Sequence, residues 1–248
     1  MYEYTGLTAL ITGASSGIGA EFAKHLADRG ANLILVARRL DALNAVAAEL
    51  RERCGVKVTT IESDLSRPDA GRDLVAELDH QSLVVDVVVN CAGFGNAGTV
   101  AEADPQVLST EMAVNMVAVA DITRGLVTGM LTRNNGVIIN VASLAAFAPR
   151  PNHAMYSATK AFVLSFTEAL WAEVRRTGVR VTTVCPGPTD TGFFAVSGTP
   201  VPGGKAQPAS RVVDSALRAI DRRKKRSVPA PFAMRLGMKL MAMTAVLA

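Results

Sequence analysis

The sequence predicts the α/β class: one domain built on a doubly wound parallel sheet with helices on both faces. Three observations carry that prediction. Short apolar runs alternate with amphipathic stretches along most of the chain, the order that βαβ crossovers impose. Some runs are apolar at nearly every position, as in Val84-Val85-Asp86-Val87-Val88-Val89, which suits strands buried on both faces. A glycine-rich turn, Gly13-Ala14-Ser15-Ser16-Gly17-Ile18-Gly19, separates the first run from the first helical stretch. The length of 248 residues and a hydrophobic content of 49% fit one large domain with ample core.

The elements follow in order. Leu7-Thr8-Ala9-Leu10-Ile11-Thr12 opens the sheet as a strand over 7–12, and the glycine turn leads into a helix over 17–29. Asn32-Leu33-Ile34-Leu35-Val36-Ala37 gives a second strand over 32–37, followed by a helix over 39–53. Further strands are expected at 56–62, 84–90, 136–142 and 179–185, with helices at 68–79, 104–132, 153–177 and 208–222. The longest irregular stretch, Pro188 to about Pro208, is rich in Gly, Pro and Thr. Nothing resembling a repeat, a low-complexity tract or a linker divides the chain. Residues 1–228 are therefore read as one domain and 229–248 as an amphipathic tail.

A strand, a glycine-rich turn and a helix in that order form the context of a dinucleotide-binding fingerprint. Gly13 permits the tight turn, Gly17 lets the backbone approach a pyrophosphate, and Gly19 lets the helix pack close to the strand. The helix N-terminus then aims free N–H groups and partial positive charge at phosphates. The spacing here is G-x-x-x-G-x-G.

Tyr156-Ser157-Ala158-Thr159-Lys160 sets a phenol and an ammonium four residues apart. On a helix that spacing puts both on one face. A nearby cation favours the phenolate and lowers a tyrosine pKa from about 10, making the phenol a usable proton donor and acceptor. Ser143 lies thirteen residues upstream, at the end of an apolar strand.

Together these motifs resemble the short-chain dehydrogenase/reductase family, over roughly residues 5 to 225. The residues that carry the likeness are Thr12 through Gly19, Asp64-Leu65, Asn90-Cys91-Ala92-Gly93, Asn115, Ser143, the Tyr156/Lys160 pair and Pro186-Gly187, all in the family's order. Cys91 stands where the family most often has a second Asn. The resemblance implies a Rossmann-like fold and a hydride transfer between a nicotinamide cofactor and a carbonyl or alcohol. Ser143 and Tyr156 would polarise the carbonyl oxygen, Tyr156 would pass the proton, and Lys160 would hold the ribose hydroxyls and lower the tyrosine pKa. Asn115 would support a water linked to Lys160. Ser15, Ser16 and Ile18 join the glycines at the cofactor. Asp64 would face the adenine with the Leu65 backbone beside it, and Asn90, Ala92 and Gly93 would run beside the ribose. Pro186, Gly187 and Thr189 through Thr191 would wrap the nicotinamide carboxamide and the pyrophosphate. Phe147, Ala148, Met155, Phe193 and Phe194 would line an apolar cleft suited to a hydrophobic ketone or secondary alcohol.

The second strand runs into Arg38-Arg39, with no carboxylate until Asp41. An acidic residue at that place would read the ribose 2′-hydroxyl of NAD. A guanidinium there can fork onto a 2′-phosphate, so NADP(H) is the expected cofactor; the alternative is that Arg38 and Arg39 merely solvate a helix start.

Composition narrows the classes. Cys54, Cys91 and Cys185 are three, far apart, and offer neither a disulfide framework nor metal-ligand spacing. His25, His80 and His153 are equally scattered. The start, Met1-Tyr2-Glu3-Tyr4, lacks a secretory pattern, and no run of 18 uncharged apolar residues suggests a spanning helix. A cytoplasmic, metal-independent protein is expected. Arg222-Arg223-Lys224-Lys225-Arg226 holds five positive charges against a net charge of +4, so the rest of the chain is close to neutral. Beyond it, Phe232, Leu236, Leu240, Met243 and Leu247 form a helical stripe, with Arg235 and Lys239 on another face. The tail either closes over the cleft or a neighbouring subunit, or lies on an anionic membrane surface; nucleic-acid binding lacks a groove-reading motif. A second apolar face on the 153–177 stretch, with Phe162, Phe166, Leu170 and Val174, suggests a homodimer or homotetramer. The rival function is a catalytically silent, NADP(H)-binding regulatory protein.

Overall fold

The computed structural model describes residues 1–197, 199–201 and 204–230. Its sheet has seven strands: β1 (Thr8–Thr12), β2 (Asn32–Ala37), β3 (Val58–Glu62), β4 (Val87–Asn90), β5 (Gly136–Val141), β6 (Val179–Val184) and β7 (Arg226–Ser227). They lie in the order β3-β2-β1-β4-β5-β6-β7, and every pairing is parallel. The chain builds outward from β1 to β3, then returns across β1 to start β4. That reversal opens a crevice beyond the C-terminal ends of β1 and β4, where doubly wound sheets bind ligands.

Alternation along the strands divides the core in two, since successive side chains leave a strand on opposite faces. Ile11, Leu35, Val89 and Ile139 face one layer, packed with Phe22 and Leu26 of α1 (Gly17–Ala27), Leu43 and Leu50 of α2 (Leu40–Cys54), and Val212, Leu217 and Ile220 of α8 (Ala209–Asp221). Leu10, Ile34, Val88 and Ile138 face the other layer. There they meet Leu74 and Leu78 of α3 (Ala70–His80), Ile122 and Met130 of α5 (Ala118–Thr132), and Leu170 and Val174 of α6 (Ala154–Val174). This two-sided burial explains why the strands read as continuous apolar runs.

The long helical stretch expected at 104–132 is three pieces. α4 (Pro105–Met112) starts on Asp104, whose side chain accepts from the Gln106 N–H at 2.8 Å, with Pro105 at the first position. A π-helical turn, Ala113–Val117, then leads into α5. Residues 105–132 are long and apolar enough to cross a membrane by composition, but here α5 packs on α3 and buries Ile122 and Met130 against the sheet. The irregular 188–208 stretch contains a short helix, α7 (Phe193–Ser197).

β7 was not expected, because it lies inside the basic run. Its Arg226 is paired with Glu168, which also accepts from Lys225 Nζ at 3.1 Å, and the Arg226 guanidinium sits 4.9 Å from the Phe147 ring centroid. The run is thus no uniform solvated patch: two of its charges are met by one carboxylate, and Arg223 donates to the Thr177 carbonyl. A very short, charged strand is a common way to finish a sheet edge. Pro229 and Ala230, which the sequence assigned to the tail, pack on the domain: Pro229 accepts from the Gly187 N–H, and Ala230 is buried. The stripe from Phe232 to Leu247 lies outside the described residues.

Candidate active site

The glycine turn sits at the end of β1, over the crevice. Gly13 and Gly17 both have positive φ, +68° and +58°, a region that costs residues with a Cβ. A Cβ on Gly13 would come within 2.9 Å of Ala92 Cα, and one on Gly17 within 3.1 Å of Thr191 Cγ2. A Cβ on Gly19 would drive into the Gly13 carbonyl, so this glycine is what lets α1 lie against the turn. Ser16 precedes α1 without capping it, so the first N–H groups of that helix remain available. A cradle that a Cβ would fill, beneath an uncapped helix N-terminus, fits a dinucleotide pyrophosphate. Ser15 and Ile18 lie in the same turn, Ser15 partly exposed and Ile18 anchored on the core.

Arg38 and Arg39 are exposed at the end of β2, and Arg39 precedes α2 without a side-chain cap. With Asp41 and Glu62 they line a shallow depression. Asp64 accepts from both the N–H and the hydroxyl of Ser66, at 3.1 and 2.8 Å. Burial opposes its ionisation, but the Ser66 hydrogen bonds and the charges of Arg38 and Arg67 together hold its carboxyl below the usual value. Leu65 beside it is buried.

At the end of β4, the Thr12 hydroxyl accepts from the N–H groups of Cys91 and Ala92, each at 3.0 Å. This pair of bonds draws the β1 and β4 termini together and was not singled out in the sequence. The Asn90 side chain does not reach the crevice. It donates to Thr123 Oγ1 at 3.1 Å and Asn140 Oδ1 at 2.8 Å, and Asn140 donates in turn to Thr167. Asn90 therefore fastens the sheet to α5, and only its backbone lies beside the crevice. A Cβ on Gly93 would fall 2.9 Å from Asn115 Oδ1 and 3.1 Å from Lys160 Nζ, so the chain passes tightly over both groups.

Ser143, Tyr156, Lys160 and Asn115 come together at this point. Ser143 lies two residues beyond β5 and accepts from the Ala145 N–H at 3.2 Å, which fixes its hydroxyl at the start of a single 3₁₀ turn. Tyr156 lies in the first turn of α6, and Lys160 one turn later donates to the Val141 carbonyl at 3.1 Å. Lys160 Nζ is 5.8 Å from the Tyr156 ring centroid. The expected lowering of the tyrosine pKa is not what the structure gives. Burial pushes the Tyr156 phenol up to about 12; the Ser143 hydroxyl works against the rise, and Glu111 adds to it. Burial also draws the Lys160 ammonium down to about 8, against opposing pulls from Cys91, Glu111 and Cys185. Desolvation disfavours the charged form of each group, and it is the largest influence on both, ahead of any neighbouring charge or hydrogen bond.

Asn115 lies in the π turn, a feature often found at functional sites. Its Nδ2 donates to the Phe94 carbonyl and to Thr159 Oγ1, and its Oδ1 accepts from the Phe94 N–H. Both amide hydrogens are therefore committed to clamping Phe94 and Thr159.

The Phe193 ring packs 5.5 Å from the Tyr156 centroid and 5.6 Å from that of Phe194. Met155 lines a cavity of about 370 Å³ beside the Tyr156 turn. Phe147 packs against Ala142, Val163 and Cys185 and under Arg226. The 186–191 segment closes the crevice. Pro186 accepts from the Leu144 N–H, Thr189 donates to the Gly187 carbonyl at 2.8 Å, and Thr191 lies over Gly17. Glu111, fully buried on another wall of the cavity, is a site residue that sequence reasoning missed. Its only signal was an acid four residues before Asn115, on the same helical face.

A model of the short chain dehydrogenase family matches residues 7–200. A short-chain dehydrogenase from Sphingobium yanoikuyae, solved in complex with NADPH, aligns with a TM-score of 0.87 at 32% identity, covering 97% of this chain and 95% of that one. The bulky-bulky ketone specific alcohol dehydrogenase from Comamonas testosteroni aligns at 0.82 with 30% identity, covering 97% and 93%. A short-chain dehydrogenase/reductase from Burkholderia phymatum in complex with NAD aligns at 0.89 with 27% identity, covering 100% and 96%.

Proposed function

The chain belongs to the short-chain dehydrogenase family and is an oxidoreductase, and from that premise we propose that it interconverts apolar ketones and secondary alcohols using NADP(H), with Tyr156 as proton donor and acceptor. The observation that carries the reading is the convergence of Ser143, Tyr156 and Lys160 beside the glycine cradle. Gly13, Gly17 and Gly19 would hold the pyrophosphate, Asp64 and Leu65 the adenine, and Gly93 and Lys160 the ribose. When bound, the nicotinamide supplies or takes up the hydride. Ser143 and Tyr156 hydrogen-bond the carbonyl oxygen and stabilise the charge that develops on it. A phenol pushed to about 12 stays protonated at neutral pH, which suits it to donate its proton to the nascent alkoxide. Lys160, drawn to about 8, can carry a proton at working pH and resupply the phenol.

Arg38 and Arg39 support NADP(H): two exposed guanidinium groups stand at the end of β2, where a 2′-phosphate would lie. The NADPH bound by the Sphingobium yanoikuyae protein supports this choice, and the NAD bound by the Burkholderia phymatum protein makes it worth testing. The ketone specificity of the Comamonas testosteroni enzyme supports the substrate class, as do Phe193, Phe194 and Met155 around the phenol. On α6, Leu170 and Val174 pack into the sheet-facing core and so leave the second apolar face expected of them, and the stacked rings of Phe162 and Phe166, 5.7 Å apart, are what remains to support a homo-oligomer. The test is a panel of aryl and alicyclic ketones assayed with NADPH and NADH in parallel. The expected result is oxidation of NADPH in preference to NADH by at least one bulky ketone. NADPH binding without turnover of any panel member would instead favour the silent regulatory protein.

A further inference from the structure

The loop that leaves β4 is pinned on both sides of the point where it crosses Tyr156. On one side, Asn115 accepts from the Phe94 N–H at 3.2 Å and donates to the Phe94 carbonyl at 2.8 Å. On the other, Gly98 donates to the carbonyl of Asn152, just ahead of α6, at 3.0 Å. Between these pins stand Gly95 and Asn96. Gly95 is buried, and a Cβ on it would lie 2.6 Å from Tyr156 Cδ2. The loop backbone therefore rests directly on the phenol ring.

Asn96 meets Glu111. That side chain is 0% exposed, the one buried residue of α4. Burial raises its carboxyl above the usual range, and the Asn96 main-chain N–H, the Asn96 side-chain amide and the Lys160 charge pull it back. No other described group hydrogen-bonds the Glu111 carboxyl or Asn96 Nδ2, so the contact is a third pin on the same loop. The spacing fits it. Glu111 lies one helical turn before Asn115, a rise of about 5.4 Å, and Asn96 lies two residues beyond Phe94, roughly 7 Å of extended chain. Neighbouring turns of one helix thus hold alternate loop residues, and Gly95 between them bears on Tyr156. Glu111 is also close enough to Tyr156 and Lys160 to raise both, which places this pin beside the reacting pair.

We propose that Glu111 is a positioning residue for the reaction at Tyr156: its hold on Asn96 keeps Gly95 seated against the phenol ring and so aims the hydroxyl. Glu111 touches neither substrate nor cofactor in this role and acts through the loop alone. The role rests on the hydride-transfer reading above.

The test uses full-length protein, NADPH and a bulky ketone. Glu111→Leu should lower kcat by roughly 10- to 10²-fold, up to the cost of displacing a reacting group by about 1 Å, while the NADPH Kd holds. Glu111→Gln keeps an acceptor for the Asn96 N–H and should retain most of the rate. In a Tyr156→Phe background, Glu111→Leu should cost nothing further, since residues that act as one unit are not additive. An equal fold loss in both backgrounds overturns the proposal, as does a matching loss of NADPH affinity, because either marks a general loosening of the crevice. Where Glu111→Leu does not fold, Asn96→Ala carries the same comparison from the loop's side. The chain has three tyrosines, Tyr2, Tyr4 and Tyr156, so fluorotyrosine labelling gives a readout independent of turnover. The fluorine resonance that Tyr156→Phe removes should shift in Glu111→Leu and return toward its wild-type position in Glu111→Gln. A Tyr156 resonance that stays in place overturns the proposal. Should no ketone be turned over, the hydride-transfer reading fails by itself, and the fluorine spectrum decides whether Glu111 seats the ring.

Discussion

Replacing Gly95 by alanine perturbs the phenol while leaving the cofactor cradle alone. Gly95 is buried under the Tyr156 ring, and an added Cβ would stand 2.6 Å from Tyr156 Cδ2, 3.0 Å from Cγ and 3.2 Å from Phe193 Cζ. Carbon atoms settle at about 3.5–4.0 Å, so the ring must retreat by roughly 1 Å. Phe193 blocks one direction of escape, and the backbone of α6 fixes the Cα. A misplacement of about 1 Å at a reacting group costs on the order of 10²-fold in rate. Overpacking of this kind also lowers stability by about 1–3 kcal/mol. The assay pairs steady-state kcat for ketone reduction with the NADPH Kd from nucleotide fluorescence. We expect kcat to fall about 10²-fold while Kd is unchanged, because the atoms nearest the new methyl belong to Tyr156 and Phe193 and not to the glycine turn. Wild-type turnover in a variant that binds NADPH and melts cooperatively would refute the placement of Tyr156 at the reacting centre.

Arg38→Ala combined with Arg39→Ala should weaken NADPH binding by roughly 10- to 100-fold, the loss of charge-assisted bonds, and leave NADH binding unaltered; parallel titrations decide this, and an equal loss for both nucleotides would remove the 2′-phosphate reading. With Lys160 at about 8, its ammonium fraction falls as pH rises through that value, so log kcat for reduction should bend downward there. The residual activity of Lys160→Arg, whose charge does not titrate, should show no such bend; a bend kept in that variant assigns the ionisation elsewhere. Asn90→Ala breaks the buried chain to Thr123, Asn140 and Thr167 and should cost about 1–3 kcal/mol in denaturant unfolding with little change in NADPH Kd. A lost cofactor affinity at full stability would return Asn90 to the cofactor site.

What the sequence made legible was what short-range pattern controls. The apolar runs placed six strands because burial on both faces leaves no polar alternation to blur them, and Gly13, Gly17 and Gly19 stood out because backbone conformation and clearance demand them. The features it hid depend on partners distant in the chain. β7 pairs its backbone with β6, more than forty residues earlier in the chain, while Glu168 and Phe147 receive the Arg226 charge. The π turn at Ala113–Val117 leaves no spacing signal distinct from a helix. Asn90 belonged to the family's motif, but which way its amide points is settled by Thr123 and Asn140. The pKa of Tyr156 was misjudged because one-turn spacing reveals the neighbouring cation and says nothing of desolvation. Glu111 looked like an ordinary helix acid until burial was known.

Tyr156→Phe tests the central claim most directly, because it deletes one oxygen and keeps the ring that packs on Gly95 and Phe193. Single-turnover reduction of a bulky ketone by the NADPH-loaded variant should slow by at least about 10²-fold, the low end for general-acid catalysis, with NADPH affinity and melting temperature at their wild-type values. Reduction at the wild-type rate under those conditions would contradict the assignment of Tyr156 as the proton donor.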